Sequence, residues 1–173
     1  MIGPGKPVGP VVSSGHLASG ALPALSEMEF GMILMGHAFD RWMVRCMAAA
    51  GMPGLSPLAI LVLHNVNHRG TAKTLADLSL VLNVEDTHLV NYAVKKLASL
   101  KLVKTGRAGK EKVIAATEAG RELCLRYREI RESLLVAPVL GTGVDPKRLS
   151  EIAAMLRALS GTYDQAARAA ASL

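Results

Sequence analysis

The sequence points to a mainly α-helical protein interrupted once by a small β-hairpin. Half of the 173 residues are hydrophobic but only 3% are aromatic, so the apolar load is Ala, Leu, Val and Met, which favours helices. Cap signals stand ahead of apolar runs at helical spacing in several places. One stretch, residues 101–116, changes instead to two short β-type runs around a glycine-containing loop. At this length the chain is one domain, or one domain with arms, and can bury a real core.

Residues 1–25 are rich in Pro, Gly and Ser and show neither period, so they read as a flexible or partner-packing arm. Val11, Val12, Leu17 and Leu22 supply its apolar contacts. Residues 26–55 read as a dimerisation helix. Ser26 and Glu29 have capping-box spacing, and Gly51 and Pro53 end the helix after Ala50. Its length is roughly 35 Å at 1.5 Å per residue. Met28, Met32, Met35, Phe39, Met43, Cys46 and Met47 form a wide apolar stripe, with Arg41 and Arg45 off it. A small domain rarely needs such a helix at its edge, whereas a subunit interface does.

Residues 56–116 hold the centre of the chain. Ser56-Pro57 starts a helix that ends near His68 and Gly70. An extended link leads to Thr74, which with Asp77 caps a third helix. After "NVED" a fourth helix places Val90, Ala93, Val94 and Leu97 on one face. Thr87, His88, Asn91, Tyr92, Lys95 and Lys96 fall mostly on the other. The runs "KLVKT" and "KEKVIAA" then flank the turn "GRAG". Residues 117–173 read as two further helices. Thr117 caps the first, which stops before Pro138, and Asp145-Pro146 starts the second. Leu149, Ile152, Leu156, Leu159 and Tyr163 give the second the 3-4 spacing of a coiled-coil seam.

Charge singles out the central region. The formal net charge is +6, from 20 Lys and Arg against 14 Asp and Glu. Between His64 and Ala115 there are nine basic and four acidic residues, and elsewhere eleven and ten. Nearly all the excess lies in the middle third, which implies a polyanionic partner. Two short helices joined by a tight turn and followed by a basic hairpin describe a winged helix-turn-helix. Such a unit can put one helix into the major groove of double-stranded DNA while the hairpin reaches phosphates or the minor groove.

At these residues the sequence resembles the MarR (multiple antibiotic resistance regulator) family of dimeric transcription factors. "TLADLSLVLNVEDTHLVNYAVKKLASLKLV" is similar to its helix-turn-helix, and "ATEAGRELC" to the leucine-threonine-x-x-glycine segment after its wing. The likeness runs from about Ser26 to Val136. It implies a homodimer formed by the long first helix and the two C-terminal helices, and a small effector that shifts the two recognition helices. Two features depart from the family. Ala108 and Lys110 stand where it usually has an aspartate and an arginine, and Glu85 and Asp86 put negative charge at the start of the recognition helix.

The candidate DNA-binding residues are therefore Thr87, His88, Asn91, Tyr92, Lys95, Lys96, Lys104, Arg107, Lys110 and Lys112. The lysines suit phosphates, and His88 and Asn91 suit base edges, against the alternative of a solvated helix face. Arg107 suits a minor groove, and Tyr92 either the backbone or packing on the wing. His64 and His68 stand four apart but lack a third ligand, so no metal site is expected. No phosphate loop, nucleophile elbow or carboxylate pair supports catalysis, and no cofactor is expected. The N-terminal residues lack a secretory pattern, no apolar run reaches bilayer length, and two cysteines make no disulfide framework, so a cytoplasmic location is expected. Two other functions fit less well: a winged-helix module that binds protein, and a redox sensor acting through Cys46 or Cys124.

Overall fold

The computed structural model describes residues 9–173. The chain divides into two units, one ending at Tyr127 and the other running from Arg128 to Leu173. The first unit contains α1 (Pro23–Ala49), α2 (Pro57–Asn67), β1 (Lys73–Thr74), α3 (Leu75–Leu82), α4 (Thr87–Ser99), β2 (Val103–Ala108) and β3 (Glu111–Ala116). Helix α5 (Glu118–Arg131) follows, and the unit boundary falls within it. The second unit continues through a π-helical turn, Glu132–Val136, into α6 (Ala137–Gly141) and α7 (Pro146–Ala170).

The caps explain most of the element starts. Ser56 Oγ accepts from the Ala59 amide, and Pro57 occupies the first turn of α2. Thr74 and Asp77 form a reciprocal capping box on α3, and the Thr74 amide holds the exposed Asp77 carboxyl below its usual pKa. Asp86 caps α4 by accepting from the His88 amide, and Asp145 caps α7 by accepting from the Lys147 amide. The first helix is different. It starts at Pro23, so Ser26 lies inside it and forms no capping box. The Ser26 hydroxyl donates instead to the Leu17 carbonyl at 2.8 Å, tying a short 3-10 turn (Gly15–Ser19) to the helix. The Val11 amide donates to Glu27 Oε1 at 2.9 Å. Residues 9–22 thus run back over the first turn of α1, and the first eight residues of the expected arm lie outside the described ones.

The extended link before α3 is a strand. β1 pairs antiparallel with β3, giving a three-stranded sheet in the order β1-β3-β2 in place of a two-stranded hairpin. The hairpin turn is also tighter than the expected "GRAG". Ala108 pairs with Glu111, leaving only Gly109 and Lys110 in the loop. Gly109 has φ +61 at the first central position, where a two-residue turn of the II′ kind takes glycine.

The core of the first unit is built from the inner faces of α2 and α4, with β3 and the last turns of α1. Met43, Met47, Ile60, Leu63, Leu78, Val90, Val94, Leu97, Ile114 and Leu123 are all buried. Helix α4 ends with Lys101 in the left-handed region at φ 58. The Leu102 amide returns to the Leu97 carbonyl and the Lys101 amide to that of Ala98, and Leu97 and Leu102 are both buried. That is a Schellman closure with its hydrophobic contact.

Helix α5 starts on this closure. Thr117 donates its hydroxyl to the Lys101 carbonyl at 2.7 Å and its amide to the Leu102 carbonyl at 3.0 Å. Its hydroxyl oxygen also accepts from the Gly120 amide. The backbone at Gly120 lies so close to Leu102 that a Cβ there would overlap the Leu102 carbonyl oxygen.

Among the buried polar groups, His64 Nε2 has no hydrogen-bond partner among the described residues. Its ring meets Tyr127 edge-on at 4.6 Å, and burial lowers its pKa from the ordinary 6.5. In the second unit, Pro138 does not end the helix as expected. The π turn ahead of it carries the Ala137 amide to the Glu132 carbonyl, five residues back. This wider turn accommodates a proline that lacks an amide and crowds the preceding turn.

Two outcomes follow. Gly120→Ala should destabilise the protein by about 2–4 kcal/mol, because backbone on both sides must move; denaturant titration measures it. The depressed His64 pKa means that the unfolded chain binds the proton more readily. The stability it confers is complete above about pH 6.5 and is lost as pH falls through the lowered folded value. His64→Phe should therefore flatten the fall in unfolding midpoint between pH 7.5 and 5.5.

Candidate nucleic-acid interface

Helix α4 buries Val90, Ala93, Val94 and Leu97 and turns its remaining residues outward. Thr87, His88, Tyr92, Lys95 and Lys96 are exposed and Asn91 is half-buried. Tyr92 is 74% exposed, so packing against the wing does not occur. A shallow recess of about 250 Å³ lies between Tyr92, Ala93 and Lys96 of α4 and Gly54, Ser56 and Ala59 at the start of α2.

The acidic residues ahead of α4 have different roles. Asp86 is the N-cap, with its carboxylate 2.8 Å from the His88 amide, so that charge also meets the positive end of the helix dipole. Glu85 lies one residue outside the cap and is exposed.

The register of the wing sorts its cations. Paired residues share a face, and successive residues alternate between faces. Val103 with Ala116, Thr105 with Ile114, and Arg107 with Lys112 therefore fall on one face. Val103, Ile114 and Ala116 are buried at its base, so Arg107 and Lys112 continue the core-facing side beyond the core. Lys104, paired with Ala115, belongs to the opposite face. It lines a recess of about 170 Å³ with Val66, Asn67, Gly70, Ala116 and Arg121. Lys110 sits in the turn. The structure thus gathers Arg107, Lys110 and Lys112 at the wing tip and separates Lys104 from the Arg107–Lys112 pair.

Arg107 and Lys112 are directly opposed like charges, an arrangement that destabilises an isolated hairpin. No acidic side chain is paired with either in an ion pair among the described residues. A polyanion against this face would relieve the repulsion.

The other candidates in the sequence do not assemble into a centre. No group of three or more His, Cys, Asp or Glu suited to a metal occurs among the described residues. Cys46 is buried, and its thiol donates to the Tyr127 carbonyl at 3.6 Å. Burial pushes the Cys124 thiol up to about 11, away from a reactive thiolate. One exposed residue of α4 escaped the sequence reading: Leu89, in the first turn, is 53% exposed while Leu97 is fully buried. The sequence carried no signal for it, because Leu89 stands four residues before Ala93 and eight before Leu97, a spacing that joins it to the edge of the buried face.

Residues 55–120 match the family of winged helix DNA-binding domains. No curated protein matches the chain by sequence. Among solved structures, the chain is similar to NMB1585, a MarR family regulator from Neisseria meningitidis, with 16% identity and a TM-score of 0.64. That match covers 83% of this chain and 95% of the other. It is similar to a mutant MarR from E. coli complexed with operator DNA, with 12% identity and a TM-score of 0.63 over 81% and 98% of the two chains. It is also similar to CouR from Rhodococcus jostii RHA1 bound to p-coumaroyl-CoA, with 16% identity and a TM-score of 0.61 over 76% and 90%. The chain has the winged-helix fold of the MarR family regulators, and its residues 55–120 are similar to winged helix DNA-binding domains.

Proposed function

We propose that the protein is a transcription regulator that binds double-stranded DNA as a homodimer on a roughly palindromic operator. The observation that carries this reading is the outer face of α4 beside the opposed Arg107 and Lys112 of the wing tip. Helix α4 enters the major groove with His88 and Asn91 toward base edges. Lys95 and Lys96 meet phosphates. Arg107, Lys110 and Lys112 reach the backbone or minor groove, and Lys104 contacts phosphate from the other face of the wing. The operator complex of the similar E. coli protein supports the mode of binding.

Dimerisation follows from the uncovered apolar faces of each unit. In the first, Met32, Met35 and Phe39 of α1 are exposed although Met43, Cys46 and Met47 of the same stripe are buried. In the second, α7 buries nothing, and Leu149, Ile152, Met155 and Leu156 are exposed along its seam. Two long apolar helix faces suit an obligate interface of roughly 2,000 Å² or more. Half-sites then lie about one helical turn, roughly 34 Å, apart. A small effector adjusts that separation, as the p-coumaroyl-CoA complex of the similar Rhodococcus protein suggests. The protein is not an enzyme in this reading and works in the cytoplasm; no described helix is long and apolar enough to cross a membrane. The burial of both cysteines speaks against a thiol sensor.

Two measurements test the reading. Leu156→Glu should yield monomers or insoluble protein by sedimentation, and a native-like monomer for the unchanged chain at micromolar concentration would refute the dimer. Alanine at Lys95 or Lys96 should weaken binding to an operator and to a scrambled duplex alike, and lower the salt slope by about one. Unaltered binding in both variants, or no retention of the unchanged protein on duplex DNA, would favour a protein-binding module.

A further inference from the structure

Leu89 is the residue of α4 that phosphate binding and polar base reading leave unexplained. It lies in the first turn, the part of a recognition helix whose side chains contact base edges. It is 53% exposed, and Tyr92, three residues on, is still more exposed. A scattered exposed leucine is ordinary on a protein surface. This one shares a helix flank with Lys96, seven residues and two turns later, and adjoins His88 at the helix start. Leu89 therefore stands where the buried side of α4, with Ala93 four residues on, meets the exposed flank that carries Tyr92 and Lys96.

Leucine has no donor or acceptor, so it can neither hold a phosphate nor pair with a polar base edge. The major groove presents one apolar group, the C5-methyl of thymine. We propose that Leu89 is a specificity-determining residue that reads a thymine methyl in each half-site. This rests on the DNA-binding reading above and deepens it. The operator is expected to carry a thymine at symmetric positions opposite the two Leu89 side chains. Burying one methyl against leucine is worth about a fourfold change in affinity, and two half-sites about fifteenfold.

The test uses the full-length protein and a duplex that it selects from a random pool. Each thymine is replaced by deoxyuridine, which keeps the hydrogen-bonding edge and removes only the methyl. At one symmetric pair of positions the unchanged protein should lose roughly tenfold or more in affinity. Leu89→Ala should bind the thymine duplex as weakly as the unchanged protein binds the deoxyuridine duplex, and should no longer distinguish the two. Leu89→Met should restore part of the discrimination, which a variant that merely unfolds could not do. Equal binding of thymine and deoxyuridine duplexes by the unchanged protein overturns the assignment while leaving DNA binding intact. So does undiminished discrimination by Leu89→Ala, which would leave the apolar flank to a protein partner. If the pool yields no retained duplex at all, the DNA-binding reading falls with it.

Discussion

The winged unit depends on the contact between the start of α5 and the end of α4. Leu102 closes α4 through its amide, and its carbonyl then receives the Thr117 amide at 3.0 Å. Thr117 adds a hydroxyl bond to the preceding carbonyl, and Gly120 lets the helix backbone approach where no side chain fits. One peptide group thereby connects α4, the first residue of β2 and the start of α5. The threonine-x-x-glycine spacing follows from this geometry. Threonine supplies both the cap and the cross-link, and glycine three residues later faces the same carbonyl.

Much of the fold was legible because its signals are local. Ser56-Pro57, Thr74 with Asp77, and Asp145-Pro146 each satisfy amides within four residues, and each starts the helix that its spacing implies. Ser26 with Glu29 carries the same spacing and fails. Pro23 starts the helix a turn earlier, and the Leu17 carbonyl takes the serine hydroxyl. A distant competitor of that kind leaves no trace in a four-residue window. Pro138 failed for a related reason: the cost of a mid-helix proline is met by widening the turn before it, so the helix continues. The pairing of β1 with β3 is non-local and was likewise invisible, since two residues carry no measurable period.

For the site, periodicity placed α4 correctly and sorted its inner from its outer residues. Strand register decided what it could not. Lys104, Arg107 and Lys112 look equivalent as a basic cluster in sequence. Pairing puts Arg107 and Lys112 across from each other and Lys104 on the reverse face. That difference depends on the loop having two residues, and a four-residue turn would have changed the pairs. Tyr92 was open between packing and exposure, and the sheet leaves it uncovered. Leu89 has the spacing of the buried face, four residues before Ala93 and eight before Leu97, and only the tertiary structure leaves it exposed.

The opposed cations at the wing tip bear on how firmly the hairpin is held along its length. Six backbone pairs hold β2 to β3, and the pair nearest but one to the turn is Arg107 with Lys112. Their repulsion is screened by salt, with a range of about 10 Å at 0.1 M. The outer rungs of this ladder therefore open more often in dilute buffer than in concentrated buffer, while the rungs near Val103 and Ala116 are held by the core. Amide hydrogens at the tip exchange with solvent at a rate that ionic strength sets, and those at the base do not. The base of the hairpin is thus held by the core, and repulsion between the rungs at its tip falls as their charge is neutralised.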